Sequence, residues 1–262
     1  MHIHNHGEAE NRDIILNWLS PINFFLRQAD ISQEREKGTG GWLLADPVFQ
    51  KWESRSGSTL WCRGIPGAGK TVLVSMVVDY LRAAFRDNQD IGVACIYLNH
   101  KEADQQPPTK LLAGLWRQLV VDRDIGSFVE ILYKQHWEKG TAPSLEEVVN
   151  VLSSSIKEFS QVFIIVDAMD EYPELQREIL LQQLAVMGSN VNLMITSRPN
   201  ICPEPSSLPN LEILDIQAAQ EDIQAYINAQ IKLSPRLSKH IQKKPVLQEQ
   251  IHAKITDTVA GM

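Results

Sequence analysis

The sequence GIPGAGKT occupies positions 64–71 and matches the pattern GxxxxGKT, which is typical of loops that bind nucleotide phosphates. The stretch 59–63 before it predicts a short buried strand, and the stretch 71–85 after it predicts an amphipathic helix. Glycines let the backbone curl so that successive N–H groups and the helix N-terminus point at one anion. The predicted phosphate-binding residues are Gly64, Ile65, Pro66, Gly67, Ala68, Gly69, Lys70 and Thr71.

Two side chains of this loop have specific chemistry. Lys70 supplies a full positive charge for the β- and γ-phosphates. The hydroxyl of Thr71 can ligate Mg²⁺, which prefers oxygen ligands and keeps several waters. A glycine turn that merely links a strand to a helix is the alternative, but it does not account for the Lys and the Thr together. We therefore predict that ATP or GTP binds here with Mg²⁺.

An acidic segment follows a second apolar stretch at 162–166, which has four β-branched residues and one Phe without alternation and predicts a strand buried on both faces. Asp167 comes directly after it, at the edge where the carboxyl ends of parallel strands meet. We expect Asp167 to hold Mg²⁺ through water, and Asp170 or Glu171 to orient or deprotonate an attacking water. A solvated acidic turn that caps the helix after Pro173 is the alternative interpretation for Asp170 and Glu171.

An arginine follows the next predicted strand, 191–196, in the sequence TSRP at 196–199. At the carboxyl edge of a neighbouring strand, Arg198 could reach the γ-phosphate and report its presence. A surface arginine at the start of a loop is the alternative. The predicted catalytic residues are therefore Asp170, Glu171 and Arg198, and the predicted metal ligands are Thr71 and Asp167.

Strands and helices alternate through the middle of the chain. This order predicts an α/β fold with a mostly parallel sheet and helices on both faces. Further strands are predicted at 91–98 and 211–216, and further helices at 109–121, 127–137, 144–159 and 174–186. We divide the chain into an N-terminal helical segment (1–57), the sheet-containing core (58–216) and the start of a helical subdomain (217–262), with helices predicted at 220–233 and 246–259.

The N-terminal segment should dock on the core, because it contains Trp42, Phe49 and Trp52. Its helix at 13–28 should break at Ser20-Pro21. We expect the stretch before this helix to be unstructured and assign no role to its histidines, which are His2, His4 and His6.

The composition is that of an ordinary globular protein, with 44% hydrophobic and 22% charged residues in 262. The net charge of −7 argues against a general nucleic-acid coat protein, and no stretch approaches 18 uncharged apolar residues. We therefore expect neither a nucleic-acid nor a membrane partner. Three cysteines, Cys62, Cys95 and Cys202, are too far apart in sequence for a zinc site or a disulfide framework and indicate a reducing, cytoplasmic setting.

Three motifs together resemble the NACHT domain of signal-transducing P-loop NTPases, particularly the fungal NOD-like receptor type and its nephrocystin-like relatives. They are GIPGAGKT at 64–71, DAMDE at 167–171 and TSRP at 196–199. The stretch from REKGTG at 35–40 to Trp52 also resembles the one that precedes the loop in the fungal proteins, so the likeness spans roughly 13–262. Met169 departs slightly from the family, where many members have leucine.

The resemblance implies a switch in which nucleotide exchange and slow hydrolysis alternate a closed state and an open, oligomerising state. It implies a homo-oligomer formed through this module, a base site near 38–44, a preference for ATP, and a helical subdomain, starting at 220–233, that closes over the nucleotide. The effector and repeat domains of such relatives are absent from this chain, which we expect to be a truncated form.

Two other classes of function stay open at this point. The chain could be a non-hydrolysing scaffold in which nucleotide stabilises a partner-binding surface, either around Trp116 and Leu119 or in the region 42–52, although core packing is the other use of both. A small-molecule kinase is the second alternative, because its acceptor site has no fixed sequence pattern. No NKxD or LSGGQ is present, which weighs against a Ras-like GTPase and an ABC ATPase.

Overall fold

Five parallel strands form a single sheet in the computed structural model, which describes residues 3–201, 203–204 and 207–260. The order across the sheet is β2-β3-β4-β1-β5, and every neighbouring pair is parallel. The predicted α/β fold is confirmed, and each predicted strand lies within one residue of its observed ends. The strands are β1 (Thr59–Arg63), β2 (Ile91–Tyr97), β3 (Gln161–Asp167), β4 (Val191–Ser197) and β5 (Leu211–Asp215).

Helices flank this sheet and extend the chain at both ends. A capping box opens α8, since the Ser144 hydroxyl accepts from the N–H of Glu147 and the Glu147 carboxylate accepts from the N–H of Ser144. The helices are α1 (Ile3–Leu19), α2 (Phe24–Glu34), α3 (Gly41–Ala45), α4 (Pro47–Ser54), α5 (Lys70–Ala84), α6 (Pro108–Leu119), α7 (Ser127–Lys139), α8 (Leu145–Ile156), α9 (Glu174–Ala185), α10 (Gln220–Leu233), α11 (Pro235–Lys243) and α12 (Val246–Ala260).

The N-terminal helices share the hydrophobic core of the sheet. Ile15 in α1, Phe24 in α2 and Trp52 in α4 are all buried in it, and the indole N–H of Trp52 donates to the carbonyl of Leu193 in β4 at 2.8 Å. The break predicted at Ser20-Pro21 is confirmed. The prediction of an unstructured terminus is wrong: α1 begins at Ile3, so that His4 and His6 lie in a helix, while His2 lies outside the described residues.

In both surfaces considered for a scaffold, the large apolar side chains other than the half-buried Trp42 belong to the core. Trp116 and Leu119 in α6 are buried, because this helix packs against β2 and α8. Phe49 and Trp52 are likewise buried. These aromatic side chains therefore stabilise the fold and are not available to a partner.

The C-terminal part contains three helices where two were predicted. Pro235 stands at the first position of α11, where its missing N–H costs nothing, so the chain restarts a helix directly after α10. The three helices have their own small apolar cluster, centred on Ile227, Ile231 and Ile241 and distinct from the core of the sheet. None of the helices in the described part of the chain is long and apolar enough to span a bilayer.

Candidate functional site

The loop 64–69 joins the carboxyl end of β1 to the first residue of α5. Gly67 and Gly69 have φ values of +82° and +84°, in the left-handed region that strongly favours glycine. Gly69 is the N-cap of α5 and provides no side-chain hydrogen bond to the first turn. The first N–H groups of α5 are therefore not capped by that residue, and the positive end of the helix dipole lies at this loop.

The lysine of the loop lies over the loop's own backbone. Its Nζ donates to the carbonyl oxygens of Gly64 at 2.6 Å and Ile65 at 3.0 Å. Burial lowers the pKa of Lys70, while the nearby carboxylates of Asp170 and Asp167 act in the opposite direction. The ammonium group thus lies beside the acidic residues and is bonded to acceptors that an anion in the loop could replace.

Asp167 is the most buried charged group of the site, with 3% of its surface exposed. Its two carboxylate oxygens accept hydrogen bonds from the hydroxyls of Thr71 and Thr196, each at 2.6 Å. Burial raises the pKa of Asp167, although the two hydroxyl donors and the charge of Lys70 oppose the shift. The carboxyl group is therefore held in one orientation in an environment that disfavours its charge.

Asp167→Asn should stabilise the chain when no ligand is bound. A carboxyl whose pKa is raised in the folded state stabilises that state fully below its unfolded pKa, near the ordinary value of 3.8, and loses this contribution as pH rises through the folded pKa. The advantage of the variant should therefore grow as the pH rises from about 4 toward neutrality. We expect a rise in Tm of about 2–4 °C at pH 7, from roughly 1 kcal/mol at a relieved functional site.

The measurement is thermal unfolding of both proteins across this pH range in the presence of a chelator. Asp104→Asn is the matched control, because Asp104 is an exposed aspartate and should show no pH-dependent gain. A variant that is less stable than the parent at every pH would mean that the hydrogen bonds to Thr71 and Thr196 outweigh the cost of burial.

Asp170 and Arg198 form an ion pair at the end of β4. The Nε of Arg198 lies 2.9 Å from one carboxylate oxygen of Asp170, and the backbone N–H of Arg198 donates to the other oxygen at 3.0 Å. The Asp170 side chain is 7% exposed and that of Arg198 is 51% exposed. Asp170 is therefore engaged in fixing the arginine, whose guanidinium still reaches solvent.

Glu171 is the more accessible of the two acidic residues after Asp167. One of its carboxylate oxygens lies 3.4 Å from the backbone N of His100 and 3.5 Å from the ring Nδ1 of the same residue. His100 follows β2, the strand next to β3, so the sheet order brings it here. The other carboxylate oxygen of Glu171 has no hydrogen-bond partner among the described residues.

The structure thus brings Lys70, Thr71 and Asp167 together at one edge of the sheet and places the pair of Asp170 and Arg198 beside them. Sequence reasoning missed the role of Thr196, the residue before the last of β4, whose hydroxyl donates to Asp167 at 2.6 Å and accepts from the N–H of Ala168 at 2.9 Å. It also missed His100. The available signal was that Thr196 ends a predicted strand and begins the TSRP segment, and that His100 follows another predicted strand; neither position identifies a partner.

The donor set fits a magnesium ion that is shared with a ligand. Among the residues that the structure describes, no three His, Cys, Asp or Glu side chains cluster as a metal site. Thr71 and Asp167 offer two oxygen ligands, and Mg²⁺ commonly takes one or two protein ligands, with the rest from substrate phosphates and water. The site therefore suits Mg²⁺ bound with phosphate better than Mg²⁺ bound alone.

A cavity of about 370 Å³ opens beside the loop, between α2, α5 and the C-terminal helices. The carboxylate of Asp222 in α10 accepts a hydrogen bond from the N–H of Gly40 at 2.9 Å and closes one side of the cavity. The lining is largely apolar, and includes Gly40, Trp42, Val72, Leu73, Ile223, Tyr226 and Ile255. Three residues of the stretch 38–44, Thr39, Gly40 and Trp42, line this cavity, and a base contact there stays a prediction.

Comparison with known proteins gives one family and several distant folds. A profile of the family described as "Nephrocystin 3, N-terminal" matches residues 38–198, which contain the loop, Asp167 and Arg198. A comparison with curated proteins finds no match.

Among solved structures, the Aeropyrum pernix ORC1 protein in complex with DNA is similar at a TM-score of 0.49 and 18% identity, over 76% of this chain and 50% of that chain. The Aeropyrum pernix ORC2 protein in ADPNP and ADP complexes gives 0.46 and 13%, over 76% and 52%. Drosophila ORC bound to DNA gives 0.45 and 17%, over 72% and 44%. This chain therefore spans about half the length of these structures.

Proposed function

Because the chain belongs to the nephrocystin 3 N-terminal family, and because its loop and acidic strand end meet in one site, we propose that it is a nucleotide-binding switch that binds MgATP and hydrolyses it slowly. The observation that carries the proposal is the junction of Lys70, Thr71 and Asp167, where a phosphate-binding loop faces a buried carboxylate at 2.6 Å. This arrangement places the positively charged loop next to the carboxylate that we propose as a metal ligand.

Phosphate binding follows from the loop. The uncapped start of α5 and the Lys70 ammonium both favour negative charge at this place. On binding, Lys70 would exchange the carbonyls of Gly64 and Ile65 for phosphate oxygens, which make stronger, charge-assisted hydrogen bonds. Lys70 already lies over the loop without a ligand, so it is positioned to make this exchange when phosphate binds.

Thr71 and Asp167 are the residues that would hold Mg²⁺, which when bound neutralises charge on the phosphates. Thr196 keeps the Asp167 carboxylate in the required orientation through its hydroxyl. Glu171 has an accessible carboxylate and would orient or deprotonate the attacking water. Arg198 would contact the γ-phosphate, with Asp170 holding its guanidinium in place.

The base would occupy the cavity next to the loop. Its apolar walls and the ring of Tyr226 suit a flat heterocycle. A carboxylate only accepts hydrogen bonds, so Asp222 can accept from an amino group of either base and does not by itself select adenine. We propose ATP before GTP because of the resemblance to the NACHT domain given above.

The C-terminal helices link the nucleotide to the rest of a signalling protein. They pack around their own apolar cluster and contact the cavity through α10 and α12, so a bound nucleotide could change their position as a unit. We propose that this movement controls self-association of the module in signalling of the innate-immunity or heterokaryon-incompatibility kind.

Calorimetric titration tests the binding step. MgATP should bind at one site per chain, and MgGTP more weakly. AMP, which has no β- or γ-phosphate for Lys70 and the loop, should bind at least tenfold more weakly than MgATP. Absence of MgATP binding, or AMP that binds as tightly as MgATP, would refute the assignment of the phosphate site. Mass spectrometry of nucleotide that copurifies with the protein is an independent check.

A further inference from the structure

Positive charge is concentrated in one stretch of this acidic chain. Between Asp222 and Glu249 the sequence has five lysines and arginines, one histidine and no acidic residue. The net charge of the whole chain is −7, so this stretch carries +5 and the rest of the chain carries −12. The five cations are Lys232, Arg236, Lys239, Lys243 and Lys244, and we call the exposed surface that they form with α11 the basic face.

The basic side chains of α11 lie on a different side of the helix from its apolar side chains. Successive residues of a helix are about 100° apart, which places Arg236, Lys239, His240 and Lys243 within an arc of about 100°. Leu237 and Ile241 lie to one side of this arc and pack on the C-terminal apolar cluster. The basic side chains are all exposed. The helix is thus amphipathic, with cations on its outer surface.

The cations of the basic face have no acidic partner in the described part of the chain. Elsewhere Arg35, Lys51, Arg63 and Arg198 each form an ion pair with a carboxylate. Lys232, Arg236, Lys239, Lys243 and Lys244 form no such pair within 3–201, 203–204 and 207–260. Five unneutralised cations on one small surface attract a partner with dense negative charge.

Exposed apolar side chains lie at both ends of the basic face. Leu233, the last residue of α10, is 74% exposed, and Val246, the first residue of α12, is 53% exposed. Leu233 directly follows Lys232, and Val246 lies two residues after Lys244. The interface of an anionic bilayer offers phosphate and carboxylate headgroups for the cations and an apolar layer for Leu233 and Val246. A nucleic-acid backbone offers phosphates for the cations but no apolar layer for Leu233 and Val246.

We propose that the basic face of α11 docks on an anionic lipid bilayer, with the helix lying on the surface and not crossing it. The residues that line the cavity beside the loop come from other segments, so docking leaves the cavity and the loop accessible. The proposal revises the expectation of no membrane partner. That expectation used the net charge of the whole chain and the lack of a long apolar stretch, and neither quantity reports a local patch.

Vesicle flotation tests the proposal with the full chain. We expect binding to phosphatidylcholine vesicles that contain 30% phosphatidylserine and little binding to phosphatidylcholine alone. The triple variant Arg236→Gln, Lys239→Gln, Lys243→Gln should bind about a hundredfold more weakly, at roughly fivefold for each cation near an anionic leaflet. The matched control neutralises three exposed lysines elsewhere, Lys134, Lys139 and Lys157, and should bind as the parent does.

A second variant separates lipid from the other polyanions. Leu233→Ser with Val246→Ser should lower vesicle binding about tenfold and leave binding of a fluorescent DNA duplex unchanged. Three results would each overturn the proposal: an equal loss of vesicle binding in the matched control, no preference for anionic vesicles, or duplex binding tighter than vesicle binding. The proposal would also fail if the protein bound no vesicles but formed salt-sensitive dimers, detected by light scattering, that the triple variant abolished. Circular dichroism and thermal unfolding of each variant establish that the chain is still folded.

Discussion

Lys70→Ala is expected to weaken MgATP binding by about a hundredfold while the chain remains folded. A hydrogen bond to a charged group contributes about 1.5–3 kcal/mol, and each 1.4 kcal/mol changes an equilibrium constant tenfold. The lysine is partly buried and already lies over the loop, so the parent loses little side-chain entropy on binding. Titration calorimetry of parent and variant measures the effect.

Two comparisons keep this result interpretable. Lys134→Ala removes an exposed lysine from α7 and should bind MgATP as the parent does. The Tm of Lys70→Ala should lie within a few degrees of the parent, because the carbonyls of Gly64 and Ile65 can bond to water when the ammonium is absent. A folded Lys70→Ala protein with parental affinity would show that the triphosphate, if it binds at all, binds elsewhere.

The loop of the proposed phosphate site was predictable because its information is local. The loop at 64–71 and its flanking strand and helix follow one another in sequence, so glycine spacing and periodicity were sufficient to locate them. The junction of Thr71 with Asp167 was also within reach, since both lie at the carboxyl edge of parallel strands. The sequence could not show that β4 lies between β1 and β3, because strand order is a property of the tertiary fold.

What was missed depends on that tertiary order. Thr196 bonds to Asp167 because β4 is adjacent to β3, and His100 approaches Glu171 because β2 is adjacent on the other side. Asp222 reaches Gly40 across 182 positions of sequence. Helix α11 escaped notice for a different reason: its nine residues contain two apolar side chains in helical spacing, too few for a periodic signal.

Glu171→Gln should slow phosphate release by about 10²–10⁴-fold and leave MgATP affinity unchanged. A general base contributes this factor, and glutamine preserves the shape of the side chain without its basicity. Because Asp170 is tied to Arg198 and Glu171 keeps an accessible carboxylate, we assign the water to Glu171. Single-turnover release of phosphate from bound ATP is the measurement, and titration calorimetry verifies the affinity. Release at the parental rate would clear Glu171 of this role, whereas a parent protein that releases no phosphate would favour a non-hydrolysing scaffold.

Asp170→Asn provides the contrast, because Asp170 should affect phosphate release only by positioning Arg198. We expect Asp170→Asn and Arg198→Ala each to slow release about 10–100-fold, and the double variant to be no slower than Arg198→Ala, since a positioning residue has nothing left to position once the guanidinium is gone. Glu171→Gln should instead remain harmful in the Arg198→Ala background. Additive effects of Asp170→Asn and Arg198→Ala would mean that Asp170 acts on the reacting water directly. The acidic residues after β3 would then share one function, where the geometry gives them two.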